Sequence, residues 1–299
     1  TGVAALRHDT CYKYSDVKTQ AYLVYTNKIP TGAFRGFGNP SAAWAVEQTI
    51  DQAAYELGID PLEIARLNAA EPGYVSPHGN RVTSCELKQC IDKVEKMMDW
   101  EKRRAEKKPD RGLGIACTVH VSGKRHFGDY DGGSATIKIN EDGKALIISG
   151  EGEVGQGAGT AMCQIAAEEL GIPLEDVEIS QADTDLTTFC LGAFGSRVTY
   201  IGGNAVRDAA GKAKQQLFET AAEMLEASPD DLVSRDGSIF VKGTEAKSVT
   251  VGDVARARLF RRGGSPIVAS GSFDADSVLQ DSTRYGNESG AYNFGCQAA

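Results

Sequence analysis

At 299 residues, 41% of them hydrophobic and 24% charged, the chain has the composition of an ordinary globular protein and room for one large domain or two smaller ones. Its 32 basic and 41 acidic residues give a net charge of −9, which argues against a nucleic-acid partner, because phosphate recognition favours clustered lysine and arginine. No apolar run approaches membrane-spanning length and no signal peptide is visible, so neither a membrane nor secretion is indicated and a cytoplasmic setting is expected. The cysteines, at 11, 85, 90, 117, 163, 190 and 296, include no Cys-x-x-Cys pair. That spacing fits reduced thiols, not a disulfide framework, a zinc site or an iron–sulfur motif. Histidines at 8, 78, 120 and 126 show no metal-ligand spacing. The chain starts without methionine and stops at Gly295-Cys296-Gln297-Ala298-Ala299, so it is expected to be a piece of something longer.

Residues 19–26 are rich in β-branched and aromatic side chains and predict a strand. The strand would lead into Thr31-Gly32-Ala33-Phe34-Arg35-Gly36-Phe37-Gly38-Asn39-Pro40, which places one arginine and two phenylalanines on tightly turning backbone. This run reads either as a site loop or as a glycine-rich turn whose rings plug the core and whose arginine is a solvated charge. Ala43, Val46, Ile50, Ala53, Ala54 and Leu57 recur at helical spacing, so a helix is expected from Ser41 to a stop at Gly58, and a second from Pro61 with Asp60 as its N-cap. Residues 71–81 read as loop and 85–98 as a helix. The charged stretch 101–110, with Lys102-Arg103-Arg104 and Lys107-Lys108, reads as a solvated helix face and a connection between two lobes.

After it the pattern turns to strands at 112–121, 134–139 and 145–149, the last two joined by a turn at 140–143. A helix at 157–170, a strand at 177–181 and a helix at 203–225 follow. A hairpin is expected around Arg235-Asp236-Gly237, then a short helix at 251–259, then glycine- and serine-rich sequence of little predictable structure. The expected fold class is α+β, two lobes of mixed sheets flanked by helices, with residues 1–108 in the first lobe and 109–299 in the second.

Two further glycine loops carry chemistry. Gly150-Glu151-Gly152-Glu153-Val154-Gly155 fits the dinucleotide-binding pattern between a strand and a helix, but Glu151 and Glu153 would place carboxylates beside a pyrophosphate, and Asp183 and Asp185 come late for a ribose contact. Just beyond it, Gly155-Gln156-Gly157-Ala158-Gly159-Thr160 offers the free amides of a helix N-terminus and the Gln156 carboxamide to an anion or a ring acceptor. The alternative is a glycine-rich helix start packed on the sheet. In Gly192-Ala193-Phe194-Gly195-Ser196-Arg197-Val198-Thr199 the hydroxyls, amides and Arg197 would grip a second part of a phosphate-bearing ligand, or Ser196 and Thr199 would only cap backbone.

These three loops, in this order, resemble the molybdopterin-binding subunit of the xanthine dehydrogenase and aldehyde oxidase family of molybdenum hydroxylases. The resemblance rests on Ala33-Phe34-Arg35-Gly36-Phe37-Gly38 after Val24-Tyr25-Thr26-Asn27, on Asp60-Pro61-Leu62-Glu63-Ile64-Ala65-Arg66-Leu67-Asn68, on Gly155-Gln156-Gly157, and on Gly195-Ser196-Arg197-Val198-Thr199 before Gly203-Asn204-Ala205. The last of these looks closest to the 4-hydroxybenzoyl-CoA reductase branch. The resemblance implies a molybdenum–molybdopterin cofactor, plain or as the cytosine dinucleotide, in one of the family's cofactor-binding domain pairs. It further implies iron–sulfur and FAD subunits and the remaining segments of the molybdenum subunit as partners. The implied activity is hydroxylation, or the reverse dehydroxylation, of an aromatic, heterocyclic, aldehyde or acyl-CoA substrate with water as oxygen source. Carried over by position, Arg35 would lie beside the metal's oxo ligand and Phe37 would stack on substrate. Phe34, Arg35, Gly36, Gly155, Gln156, Gly157, Gly159, Thr160, Gly195, Ser196, Arg197 and Thr199 would contact cofactor, with Arg35 and Gly195 nearest the metal.

Departures from the family pattern narrow these implications. The family's glutamate base is expected beyond residue 299, and its first cofactor-contacting segment before the arginine loop is absent. Where xanthine-specific members carry a substrate arginine, this chain has Val3, with Arg7 out of register. Gly123-Lys124-Arg125-His126-Phe127-Gly128 falls where relatives place substrate contacts and reads either as an anion-facing segment or as a surface loop. Two readings of other classes stay open: a non-catalytic interaction protein that keeps the fold, and an NAD(P)-dependent dehydrogenase using residues 150–155.

Overall fold

The computed structural model describes residues 2–5, 8–106, 108–125, 130–180, 182–278 and 286–299. In chain order the first elements are helices α1 (Gly2–Ala5), α2 (Asn39–Leu57), α3 (Pro61–Asn68), α4 (Leu87–Met97) and α5 (Trp100–Ala105). Strands β1 (Ile115–Ser122), β2 (Gly132–Ile139) and β3 (Ala145–Ser149), helix α6 (Ala158–Leu170), strand β4 (Val177–Ser180) and helix α7 (Gly203–Leu225) follow. The remainder comprises β5 (Leu232–Arg235), β6 (Ser238–Val241), β7 (Thr244–Thr250), α8 (Val251–Phe260), β8 (Ile267–Asp274) and β9 (Ala291–Ala298). The class is α+β, as expected.

The chain forms two compact units, Thr1–Asp129 with Asp276–Ala299, and Tyr130–Ala275. The second is an insertion into the first, a division different from the expected one at 108/109. Antiparallel pairing of β1 with β9, from Ile115 opposite Ala298 to Ser122 opposite Ala291, is what keeps both strands in the first unit. The charged stretch expected to link two lobes begins as helix α5, anchored by the buried Trp100, whose indole N–H donates to Asp60 Oδ1 at 3.1 Å. Lys107 lies outside the described residues.

In the first unit, Tyr12, Leu62, Leu87, Ile91, Trp100, Val119 and Tyr292 form a core. The helix signals act as read: α2 stops at left-handed Gly58, and Asp60 Oδ1 accepts from Leu62 N at 2.8 Å to cap α3. One expectation fails. Residues 19–26 form no strand; they run as exposed irregular chain, because no strand among the described residues lies alongside to supply their backbone partners.

The second unit is built on a four-stranded sheet of order β4-β3-β2-β8, in which β3 and β4 run parallel and the other pairs antiparallel. Ala135, Ile137 and Ile139 of β2 and Ala145 and Ile147 of β3 alternate on its buried face, packed with Met162 and Leu170 of α6 and Val206 and Leu217 of α7. A separate antiparallel sheet, β5-β6-β7, carries the expected hairpin, with Asp236 and Gly237 both left-handed at the turn. The expected strand at 177–181 ends at Ser180, Gln181 lying outside the described residues.

The glycine- and serine-rich tail is more ordered than its composition suggests. It contains β8 and β9, whose partners β2 and β1 lie more than a hundred residues away in sequence. Residues 279–285 lie outside the described residues. Within β8, a Cβ on Gly271 would sit 2.2 Å from Ala209 N and 2.5 Å from Ala205 O. The missing side chain is therefore what lets α7 lie on the sheet. Gly271→Ala is expected to lower unfolding free energy by at least about 1–3 kcal/mol, read from the urea midpoint, whereas Gly152→Ala, with nothing within 4 Å, leaves it nearly unchanged.

Candidate functional site

The arginine loop belongs to the first unit and is held at its end by α2. Gly36, Phe37 and Gly38 take φ of 96°, 43° and 93°, three left-handed residues in a row, and Phe37 bears the strain of a side chain in that region. A Cβ on Gly36 would lie 2.7 Å from the Pro40 ring. Phe37 N donates to Phe34 O at 2.8 Å and Asn39 N to Gly36 O at 3.0 Å, closing the turn. Asn39 is buried, its side chain hydrogen-bonded to His120 Nδ1 on β1. One helical stretch further on, Glu47 accepts from Tyr12 Oη at 3.1 Å and from Cys117 N at 2.9 Å, tying α2 to β1; burial pushes its carboxyl above the usual range. So anchored, the loop presents Phe34, 86% exposed, Phe37, 47% exposed, and an exposed Arg35. The rings are not core plugs.

In the second unit the other two loops leave the carboxyl ends of the parallel neighbours β3 and β4, the edge at which open sheets hold ligands. The first places Gly155, Gln156 and Gly157 on an exposed rim ahead of α6, with Gly159 buried and Thr160 exposed in its first turn. Its amides are not free, contrary to expectation. The Glu153 carboxylate accepts from Gly155 N at 2.7 Å, Gly157 N at 3.1 Å and Gly159 N at 3.2 Å, so a side chain of the loop itself occupies the anion seat of the helix N-terminus. The amides of Gly157 and Gly159 hold that carboxyl below its ordinary range. Gln156 folds back as well, accepting from Val154 N at 2.6 Å and donating to Gly152 O at 2.8 Å. The dinucleotide pattern at 150–155 does lie between a strand and a helix, but with Glu153 in the place of a pyrophosphate.

The second loop crosses over the first. Thr188 O lies 2.0 Å from where a Gly150 Cβ would stand, and Cys190 Sγ donates to Glu151 Oε2 at 3.2 Å. Gly195 and Ser196 are left-handed, with φ of 57° and 51°, and the chain then passes through a π-helical turn, Val198–Gly202, into α7. The exposed hydroxyls of Thr160, Ser196 and Thr199 make no hydrogen bond among the described residues, so neither Ser196 nor Thr199 serves as a cap.

Arg197 departs most from expectation. It is wholly buried, with Nε 3.3 Å from Asp131 Oδ1, Nη1 3.2 Å from Glu151 Oε1 and Nη2 donating to Gly132 O at 2.6 Å. Its guanidinium points into the unit, joining β2, the loop after β3 and the loop before α7, and is not a rim donor. Reading the sequence alone missed Asp131, Glu151 and Glu153 as its partners and as the loop's cap. The acidic residues at 151 and 153 were visible signals, but the 66- and 46-residue separations from Arg197 hid the pairing.

Of the predicted substrate segment, Lys124 is buried with Nζ 2.9 Å from Glu288 Oε2, and Arg125 is buried with Nε donating to Ser277 O at 2.9 Å. Both cations are engaged with protein and form neither an anion-facing surface nor an exposed loop. His126, Phe127 and Gly128 lie outside the described residues, as does Arg7. Val3 falls in α1.

Two strained, glycine-bearing loops thus stand at the carboxyl ends of a parallel strand pair in an α+β protein, with the hydroxyls of Thr160, Ser196 and Thr199 exposed. The family described as molybdopterin cofactor-binding domain matches residues 93–299, and a second such domain matches residues 1–69. The chain belongs to the molybdopterin cofactor-binding domains of the xanthine dehydrogenase family. It is 40% identical over 272 residues, 88% of its length, to the xanthine dehydrogenase molybdenum-binding subunit of Escherichia coli O157:H7, of which it covers 35%. It is 35% identical to the nicotine 6-hydroxylase large subunit of Paenarthrobacter nicotinovorans, covering 78% of this chain and 30% of that one. The crystal structure of quinoline 2-oxidoreductase from Pseudomonas putida 86 superposes with a TM-score of 0.75 at 30% identity, covering 84% of this chain and 34% of that one. The chain thus spans about a third of the length of these relatives.

Two expectations follow from the site. Arg197→Met should destabilise the second unit by about 3–5 kcal/mol, since it strands two buried carboxylates, and adding Glu151→Gln should restore part of that loss in denaturant titrations. Because Glu153 is held below its ordinary value of 4.5, its contribution to stability is present above that pH and lost as pH falls through the lowered value. Glu153→Gln should therefore flatten the acid limb of melting temperature against pH below about 4.5.

Proposed function

We propose that this chain supplies part of the molybdopterin site of a molybdenum-dependent oxidoreductase that hydroxylates a planar, aromatic heterocycle. The observation that carries the reading is the pair of strained loops on β3 and β4 within a chain of the molybdopterin cofactor-binding family. The residues present fit an organic, oxygen-rich cofactor. Exposed hydroxyls of Thr160, Ser196 and Thr199 and the Gln156 carboxamide are hydrogen-bonding groups of the kind such a ligand takes, and the hydroxyls have no protein partner among the described residues.

When bound, that cofactor supplies a redox-active metal for transfer of oxygen from water. The roles proposed for this chain's residues are binding and positioning. Thr160, together with Gln156, Gly155, Gly157 and Gly159 once Glu153 and Gln156 release the loop's own amides and carbonyl, would hold one part of the pterin, and Gly195, Ser196 and Thr199 another. Arg35 would donate its N–H groups toward negative charge near the metal, and Phe37 would offer a ring face to substrate, with Phe34 nearby on the same loop. Arg197 acts through the loop it anchors. Relatives named for xanthine and nicotine favour a nitrogen heterocycle, whereas the engagement of Lys124 and Arg125 with protein removes the cations that an acyl-CoA would need. Iron–sulfur and flavin partners, and a cytoplasmic setting, belong to the same proposal; no described helix is long and apolar enough to cross a membrane.

Molybdenum and pterin are expected in stoichiometric amounts in the complex purified from its native source. In that complex Arg35→Ala should lower turnover of nitrogen heterocycles by about 100-fold or more while leaving the melting temperature unchanged, because Arg35 is exposed. Molybdenum-free protein with every partner present, or unaltered turnover in the variant, counts against the reading.

A further inference from the structure

We infer that Cys117 and Cys296, which face each other across the β1–β9 ladder, are a site of reversible oxidation that closes to a disulfide when a two-electron oxidant such as hydrogen peroxide reaches it. The pair belongs to none of the three glycine loops and does not depend on the function proposed for them.

Register is the first ground. Cys117 stands directly opposite Cys296, with Ile115 opposite Ala298 on one side and Val119 opposite Phe294 on the other. At the end of the ladder Gly114 N donates to Ala299 O at 3.0 Å and Ala299 N to Gly114 O at 3.1 Å, so that pair is of the hydrogen-bonded kind. Opposed pairs alternate in kind along an antiparallel ladder, which makes Cys117 and Cys296 a non-hydrogen-bonded pair. The backbone agrees, since Cys117 N turns away from β9 and donates to Glu47 Oε2 at 2.9 Å. In such pairs the Cα atoms stand about 4.5 Å apart, within the span of about 4.4–6.8 Å that disulfides bridge. Neither strand has to move for the bond to form.

Packing is the second ground. Opposed residues carry their side chains on the same face of a strand pair, and here that face is the buried one. Cys117, Val119, Val121 and Tyr292 belong to the core of the first unit, with Phe294 and Cys296 packed against it. Both thiols are free, and they share a hydrogen bond. That bond from Cys117 holds the Cys296 thiol below its ordinary range, while the same bond, with burial, pushes the Cys117 thiol up. The other titratable groups facing the pair are Cys11, Tyr12 and Glu47. Glu47 is engaged by Tyr12 Oη and Cys117 N, and Cys11 lies on the stretch that pairs with Ala70, not on the ladder.

These positions divide the chemistry. The Cys296 thiolate attacks one peroxide oxygen, the O–O bond breaks, and the released hydroxide takes up the proton that Cys296 gave up, leaving a sulfenic acid and one water. The Cys117 sulfur then attacks the Cys296 sulfur, the S–O bond breaks, and the departing hydroxide leaves with the Cys117 proton as a second water. Two thiols lose two electrons and two protons, and the peroxide gains both. The new bond joins stretches of the first unit that the whole inserted unit separates in sequence, and in a reducing compartment it is transient.

The test exposes the complete protein in its native complex to hydrogen peroxide, blocks remaining thiols with N-ethylmaleimide in acidic denaturant, and maps the digest by mass spectrometry. A peptide pair joining Cys117 to Cys296, lighter by two hydrogens than the two thiol peptides together, is expected to hold most of both cysteines, and dithiothreitol is expected to return both thiols. Cys296→Ala should leave Cys117 reduced at least about 10-fold longer at the same peroxide concentration, because a lone buried thiol is inert. Cys11→Ala should leave the cross-link unchanged. Both cysteines still blocked by N-ethylmaleimide after a treatment that fully oxidises free cysteine, a cross-link from either one to Cys11, or sulfinic acid on Cys296 beside an unmodified Cys117 each overturns the inference, and the wild-type readings need no variant to fold.

Discussion

The buried guanidinium of Arg197 is the contact on which the geometry of the second unit's loops depends. A positive charge with no exposure to water is stable only where opposite charge and full hydrogen bonding replace its hydration. Here Asp131 at the start of β2, Glu151 just after β3 and the Gly132 carbonyl provide that replacement. The partners come from two stretches, residues 131–132 and Glu151, so with the loop that carries Arg197 itself one side chain fixes three stretches at once. Cys190, donating to the second oxygen of Glu151, extends the same network to the crossing segment. The left-handed pair at Gly195 and Ser196 sits one residue from this anchor, and the anchor is what holds backbone in a conformation that it would otherwise leave.

The first unit anchors its loop through hydrogen bonds from side chains of α2. Its loop is turned by Gly36, Phe37 and Gly38 and pinned by Asn39 to His120, while Glu47 ties the following helix to β1 and Tyr12. In both units, therefore, exposed and strained residues stand directly on a buried polar clasp. That arrangement suits groups that must be held rigidly at a surface where a ligand arrives.

Local signals in the sequence were reliable where the physics is local. Asp60 and Gly58 marked helix ends, Asp236-Gly237 marked a hairpin, and apolar periodicity placed α6 and α7 within a residue of their observed bounds. Non-local physics was not legible. Small residues at Ser270, Gly271 and Ser272 diluted the alternation of β8, and only the approach of α7 explains why Gly271 stands there. Residues 19–26 carry the composition of a strand, but a strand exists only beside another. Arg197 looked like a ligand because it sits among glycines and hydroxyls; the carboxylates that bury it lie on other elements. Glu153 was weighed as an obstacle to a dinucleotide, which it is, yet its second role as the cap of α6 needed the turn to be seen.

The insertion of one unit inside the other carries a consequence for biosynthesis. Strand β1 cannot pair until β9 has been made, and Ile115 waits for Ala298. At ribosomal speeds of roughly 5–20 residues per second that interval is on the order of ten to forty seconds. During it the whole of the inserted unit emerges with its own core, so the later unit can finish folding before the earlier one closes its sheet. The nascent chain must carry β1 through that time with an open edge, and the small polar residues within it, Thr118 and Ser122, are modest protection against pairing with the wrong neighbour.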